Sequence, residues 1–354
     1  MGALLVISTA SYSGKSSICA CLIDEISRRG GSVGYYKPWG ALPIVIDGLT
    51  TDKDAAYMNA RLQRPAPIER VCTFVKTRAA IEGVLDRRTE DLADRVLEDF
   101  AVCADGRETV VVEGPSTVHN GMSAGLSACS IADILDARVI LVYHPDGADL
   151  PDDVLGVKDC MGDRLAGVVV NLVHEAHADF VADHVRPFLA TRGIPVFGVL
   201  PWDTALATVT VGEIADSLAA TVLCAEERLD EPVESFMVGA MGQDKALTFF
   251  RRKARKAVVT GGDRADVQLA ALETNTRCVV LTGNMAPSSL VLARADELSV
   301  PMLLVDMDTL SAVERLESLF GHSRLHDPRK VARIEDLFSR NIDVDGLLRA
   351  CGVS

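Results

Sequence analysis

Residues 8–17 read Ser-Thr-Ala-Ser-Tyr-Ser-Gly-Lys-Ser-Ser. A lysine and a hydroxyl directly behind a glycine, set between an apolar run at 4–8 and a helix-patterned stretch at 16–29, are the residue types that cradle phosphate. Backbone N–H groups of the loop and the helix start face phosphate oxygens, the ammonium neutralises them, and the hydroxyl is offered to magnesium. Ser11, Ser13, Gly14, Lys15, Ser16 and Ser17 are therefore the candidate phosphate-binding residues. The glycine that usually opens such a loop is missing. Counting back from Gly14, the G-x-x-x-x-G-K spacing lands on Thr9, and a loop longer by one residue opens at Ser8.

Acidic partners for a phosphate-bound cation lie at Glu113, behind the run Thr-Val-Val-Val, and at Asp52 and Asp54. A carboxylate at the carboxyl end of a neighbouring parallel strand can hold magnesium directly or through water. Other chemistry-bearing groups have plainer readings. His174, His177 and His184 sit in a polar stretch that reads as an exposed helix rather than a metal centre, which needs convergent ligands. Cys19 and Cys21 are two apart on an expected helix and point apart, as packing residues do. The basic run at 251–256 lacks interleaved aromatics, immediately precedes a buried strand, and reads as a solvated helix end or an interface with an acidic neighbour. In the second half, Gly261, Gly262, Asp263 and Arg264 follow one strand-like run and Gly283 and Asn284 another. These loops either form a cleft for an anionic metabolite or an adenylate, or are tight turns with Asp263 capping the next helix.

The elements that must position these groups alternate. Continuous β-branched runs at 4–8, 33–38, 109–114, 138–144, 165–173 and 194–203 suit parallel strands buried on both faces, and helix-patterned segments separate them. This is an α/β layout. The charged stretch at 226–234, with Pro232, reads as a linker between a domain at 1–225 and a smaller α/β domain at 235–354, whose residues 329–350 form a helical close. At 354 residues with 48% hydrophobic residues the chain can bury a large core. Its net charge of −14 argues against generalised attraction to nucleic acid or anionic lipid. The apolar start has no basic flank and reads as a buried strand, not a leader or anchor. Nine scattered cysteines without a C-x-x-C point to a reducing cytoplasm.

Gly14-Lys15-Ser16, Lys37-Pro38, Asp54-Ala55 and Val112-Glu113-Gly114 occur in the order and spacing of the dethiobiotin synthetase family, which this region resembles. The resemblance implies that Lys15 binds phosphate and that Ser16, Asp54 and Glu113 surround magnesium. It places Lys37 near the γ-phosphate or the acceptor, gives Asn171 the adenine, and lets a turn at Pro201 and Asp203 close over the base. Tyr12, Ala41 and Ser116-Thr117 depart from that family where the organic substrate lies. Over nearly the whole chain the motifs at 112–127, 133–142, 258–288 and 303–317 resemble the N-terminal portion of long phosphotransacetylases. That portion is a dethiobiotin-synthetase-like domain followed by a DRTGG domain.

The resemblance implies a P-loop NTPase-type parallel-sheet domain, then a smaller α/β DRTGG domain, as a stand-alone version without the acetyltransferase domain. The expected protein is a cytoplasmic Mg-ATP-binding, slowly hydrolysing regulatory or sensing module. It takes ATP and Mg2+, assembles as a homo-oligomer, and contacts neither nucleic acid nor membrane. The alternative is an ATP-dependent ligase or carboxylase of the dethiobiotin synthetase type.

Overall fold

The structure, a computed structural model, describes residues 2–86, 92–145, 147–322 and 328–353. The apolar runs form strands β1 (Gly2–Ser8), β2 (Val33–Tyr36), β3 (Thr109–Glu113), β4 (Arg138–Tyr143), β5 (Leu165–Val173) and β6 (Val196–Pro201). All pair in parallel, in the order β6-β5-β4-β1-β3-β2. The register sets Val6 opposite Glu113 and Ser8 opposite Val142. The chain leaves β1 toward β2 on one side, and β4 lies on the other. That strand order makes the carboxyl end of β1 a switch point, where open α/β sheets take their ligands. Leu4 to Ile7 and Val110 to Val112 are completely buried, which explains their unbroken apolar character.

Helices α1 (Lys15–Arg28), α2 (Lys53–Arg61), α3 (Leu92–Ala104), α4 (Ala128–Ile134) and α5 (Asp152–Met161) connect these strands. Val96, Phe100 and Cys103 of α3, Ile131 of α4 and Val154 and Val157 of α5 share one core with Leu5, Ile7, Val110, Val112, Val139 and Leu141 of the sheet.

The chain separates into two compact units, residues 1–202 with 331–354, and residues 203–330. The expected linker at 226–234 therefore falls inside the second unit, where Pro232–Val233 pairs antiparallel with Val209–Thr210. Charge and a proline there accompany a short 3-10 helix, Glu226–Arg228, and a strand whose Val233 is completely buried. The helical close also belongs elsewhere than expected: residues 331–354 complete the first unit. Asp343 N donates to Phe197 O at 2.7 Å, Gly198 bridges Ile342, and Arg138 Nε and Nη2 donate to Ala350 O at 3.2 and 3.0 Å.

The second unit holds α6 (Val211–Leu218), β7 (Thr221–Val222), β8 (Ser235–Val238), β9 (Lys256–Gly261), β10 (Thr276–Thr282) and β11 (Met302–Leu304), in the order β7-β11-β10-β9-β8. Among the described residues of this sheet, β7 runs antiparallel and the other strands pair in parallel. Thr210 and Glu213 form a capping box that starts α6. Among the described residues no helix is long and apolar enough to cross a membrane.

Two expectations about this unit fail. Lys256, placed by sequence on a solvated helix end, is completely buried as the first residue of β9. Asp263 does not cap helix α7 (Ala265–Leu272), whose N-cap is Arg264 without a side-chain bond.

Candidate functional site

Gly14 starts α1 in the left-handed region, φ 88°, with no side-chain cap and no acidic residue in the first turn. A 14-residue helix thus presents unsatisfied N–H groups and the positive end of its dipole to the loop, the arrangement that attracts an anion. By contrast α2 is capped by the Asp52 side chain, which accepts from Asp54 N and Ala55 N at 3.0 and 3.1 Å. Tyr12 also lies in the left-handed region, φ 59°. Ser11 is exposed, Ser17 is buried, and the Ser13 hydroxyl is buried without a hydrogen-bond partner.

Gly14 is required twice over. Its φ suits glycine, and a Cβ there would stand 2.3 Å from Asn171 Nδ2. Asn171, in β5, donates to Ser13 O at 2.8 Å and accepts from Leu172 N at 2.9 Å, so both ends of its amide are engaged at the loop. Lys15 is 8% exposed. Its Nζ donates to Ser8 Oγ at 2.9 Å and Ser116 O at 3.2 Å, spanning the ends of β1 and β3. Burial lowers it to about 8, partly opposed by Glu113.

Ser16 Oγ donates to Glu113 Oε1 at 2.9 Å, and Tyr35 OH donates to Glu113 Oε2 at 2.9 Å. Lys37 Nζ lies 2.9 Å from Asp52 Oδ1, 3.2 Å from Glu113 Oε1 and 3.6 Å from Asp54 Oδ2. All four side chains are buried. Burial works against the Lys37 charge, but Glu113, Asp52 and Asp54 override it and hold the ammonium well above its ordinary value. Burial, then Glu113, pushes the Tyr35 phenol up, so it stays a donor. Three carboxylates and two ammonium groups leave one net negative charge beside the uncapped helix, a set that accommodates a further cation carried in with phosphate.

Lys15, Ser16, Lys37, Asp54 and Glu113 are therefore brought together, with Asn171 bracing the loop. Sequence reading left Asp52 as one of two acidic alternatives. Its signal was an acidic residue at the start of a helix pattern, and the structure makes it both the α2 cap and the nearest partner of Lys37. Pro201 ends β6, and Trp202 stacks on His174 with ring centroids 4.7 Å apart. Asp203 opens the second unit and caps the short helix Thr204–Ala207 through Ala205 N at 2.9 Å. Among the described residues no three His, Cys, Asp or Glu side chains form a metal centre of their own. Cys19 and Cys21 are buried packing residues, but Cys129 of α4 and Cys160 of α5 form a disulfide, a pairing that the scattered cysteines of the sequence did not suggest.

In the second unit the two glycine loops do lie together. A Cβ on Gly262 would overlap Met285 O, and Gly283 N and Asn284 N donate to Met307 O and Val305 O, both at 2.9 Å. Arg264 Nη2 donates to Met241 O at 2.9 Å and its Nε reaches Asp266 at 3.3 Å. The Gln268 amide nitrogen donates to Gly261 O and Gly262 O at 2.9 and 3.0 Å, while its buried oxygen has no partner.

Comparison with known proteins agrees with this two-part layout. One family model, described as an AAA domain, matches residues 2–210, and another, a DRTGG domain, matches residues 213–319. The chain is 26% identical to a phosphate acetyltransferase of Pseudomonas aeruginosa over 96% of this chain and 50% of that protein. It is 27% identical to one from Deinococcus radiodurans over 100% of this chain and 52% of that protein. The chain thus spans about half the length of the curated relatives it matches. Among solved structures, MinD cell division protein of Aquifex aeolicus aligns at TM-score 0.37 and 16% identity, covering 58% of this chain and 84% of that one. The CBS and DRTGG regulatory region of a Clostridium perfringens pyrophosphatase, complexed with diadenosine tetraphosphate, aligns at TM-score 0.29 and 18% identity, covering 38% and 67%. Neither alignment is close enough to carry an argument. The family match covers the loop, the carboxylates and all six strands of the first sheet, and on it the chain belongs to the AAA-domain family of P-loop proteins, here joined to a DRTGG domain.

Proposed function

We propose that the first unit binds Mg-ATP at the loop following β1 and hydrolyses it slowly, as the nucleotide-dependent part of a regulatory module. The observation that carries this reading is the convergence of Ser16, Glu113, Asp54 and Lys37 beside an uncapped helix start. Hydroxyl and carboxylate oxygens are hard donors that fit magnesium, and Ser16, Asp54 and Glu113 would hold it. When bound, the ion supplies charge neutralisation on the transferring phosphoryl group. The chain does the rest. Loop and helix N–H groups hold phosphate oxygens, and Lys15 exchanges Ser8 and Ser116 for phosphate. Turnover is slow because Lys37, the second cation in reach, is already neutralised by Asp52 and Glu113. The His174–Trp202 pair offers an aromatic face near the strand that carries Asn171.

The second unit is the effector side of this proposal, with the loops at Gly261–Arg264 and Gly283–Asn284 as the place for an anionic metabolite and homo-oligomerisation as the means of assembly. The likeness to phosphate acetyltransferases supports a regulatory role tied to acetyl-transfer chemistry. Measuring magnesium-dependent ATP binding and turnover by the full chain and by Glu113→Gln tests the core of it. Wild type should bind and slowly turn over Mg-ATP while Glu113→Gln loses the magnesium-dependent part; a wild-type chain that binds no ATP would end the proposal. A ligase reading keeps one observation in its favour, the Lys37 ammonium beside Glu113, where an acceptor carboxylate would be met.

A further inference from the structure

A second cleft lies by the amino end of β3, whereas the phosphate loop follows the carboxyl end of β1. It encloses about 520 Å³ between the segment Arg64–Pro67, which follows α2, and the turn Asp105–Arg107, which follows α3 and precedes β3; Ala101, Val102 and Cys103 complete its wall. Glu113 is the last of the five residues of β3, which rise roughly 3.3 Å each from this end of the strand.

Both walls are built rather than loose. The Asn59 side chain clamps Ala66, donating to its carbonyl at 2.8 Å and accepting from its N–H at 2.9 Å, and Pro65 and Pro67 flank the clamp. The opposite turn is fixed by Arg107 N on Ala104 O at 3.0 Å and by Ser32 Oγ on Gly106 O at 2.9 Å. Gly106, φ 66°, lets the Arg64 guanidinium approach: a Cβ there would stand 3.3 Å from Arg64 Nη1. Arg107 Nη2 in turn donates to the Arg64 carbonyl.

Two guanidinium-bearing residues, Arg64 and Arg107, thus line one cleft, and neither forms an ion pair with a carboxylate among the described residues. Asp105, the acidic residue of the lining, leaves the cleft one net positive charge. Burial and then the neighbouring Arg64 push Arg107 down from its ordinary value, partly opposed by Asp105. Pro65, Pro67 and the 39% exposed Val102 add apolar surface beside the charges.

We propose that this cleft binds a phosphate monoester with an apolar body, its phosphate between Arg64 and Arg107 and its body on Pro65, Pro67 and Val102. A planar guanidinium pair is matched to phosphate oxygens, and the hydrogen bonds are charge-assisted.

The test titrates phenyl phosphate into methyl-labelled full-length chain and follows the Ala66, Ala101 and Val102 methyl resonances. Lys15→Met serves as a background in which the phosphate loop is disabled. Saturable shifts of these methyls are expected in both wild type and Lys15→Met, with inorganic phosphate and benzoate each weaker than phenyl phosphate. Arg64→Gln, at an exposed position, and Arg107→Gln should each weaken binding about tenfold or more. Shifts confined to residues 9–17, no shift at the cleft methyls, or wild-type affinity in Arg64→Gln would overturn the proposal.

Discussion

The side-chain amide of Asn171 donates to the carbonyl of Ser13 at 2.8 Å, across 158 residues of sequence, and so ties the fifth strand of the sheet to the crest of the phosphate loop. The other end of the amide is used by Leu172 N. A side chain so engaged braces the loop whatever base lies nearby. Asn171→Ala is expected to weaken ATP, GTP and tripolyphosphate alike, by about fivefold to tenfold for one lost hydrogen bond. Competition binding with the three ligands checks this. Loss confined to ATP would show that the amide turns to read adenine instead.

Lys37 is the second prediction. It sits among Asp52, Glu113 and Asp54 with its charge buried. Removing one partner of a buried ionic group leaves uncompensated charge, at about 3–5 kcal/mol. Lys37→Met should lower the unfolding free energy measured in urea by that much, and magnesium should recover part of the loss, because a cation again faces the carboxylates. A variant as stable as wild type in the absence of magnesium would contradict the assignment.

Lys256 gives a pH dependence. Its Nζ has Thr274 Oγ1 at 2.9 Å and Asn275 O at 3.2 Å, and burial lowers it to about 8. Between about 8 and the ordinary value of 10.5 the unfolded chain holds a proton that the folded chain has released. Stability from this group therefore rises with pH across that window and is least below it. Lys256→Met should unfold at higher denaturant than wild type at pH 7, and the gap should narrow toward pH 10. A gap that widens with pH would reverse the sign.

The substrate pocket gives a fourth. Tyr12, held at φ 59°, Ala41 and Ser116, whose carbonyl accepts from Lys15, stand where the dethiobiotin synthetase resemblance expects acidic, hydroxyl and glycine residues. No dethiobiotin should form from diaminopelargonate, bicarbonate and ATP. Product formation followed by radiolabelled bicarbonate checks this, and robust turnover would establish the ligase reading.

How far the sequence carried this account depends on range. Lys15, Ser16 and Glu113 were legible because strand, turn and helix patterns around each are local, and a parallel sheet brings their carboxyl ends together. Asp54 was named beside Asp52 as an acidic partner, and the resemblance to the dethiobiotin synthetase family singled it out. What escaped was set by distant packing. Asp52 looks like any helix cap until Lys37 is placed 2.9 Å away. Lys256 reads as the last of a basic run until the sheet buries it. Cys129 and Cys160 meet only once α4 and α5 lie side by side, and Arg64 reaches Arg107 only through the turn at Gly106. The return of residues 331–354 to the first unit was hidden because a helix pattern states which face is apolar, not which core it meets.

The most direct test is calorimetric titration of Mg-ATP into the full chain and into Lys15→Met, which keeps the apolar stem and removes the ammonium that now bridges Ser8 and Ser116. Thermal unfolding of both proteins would be run alongside to show that the fold is kept. The loss of a charge-assisted contact predicts binding weaker by about tenfold to a hundredfold in the folded variant. Equal affinity in the two proteins would contradict the claim that this loop grips a nucleotide triphosphate.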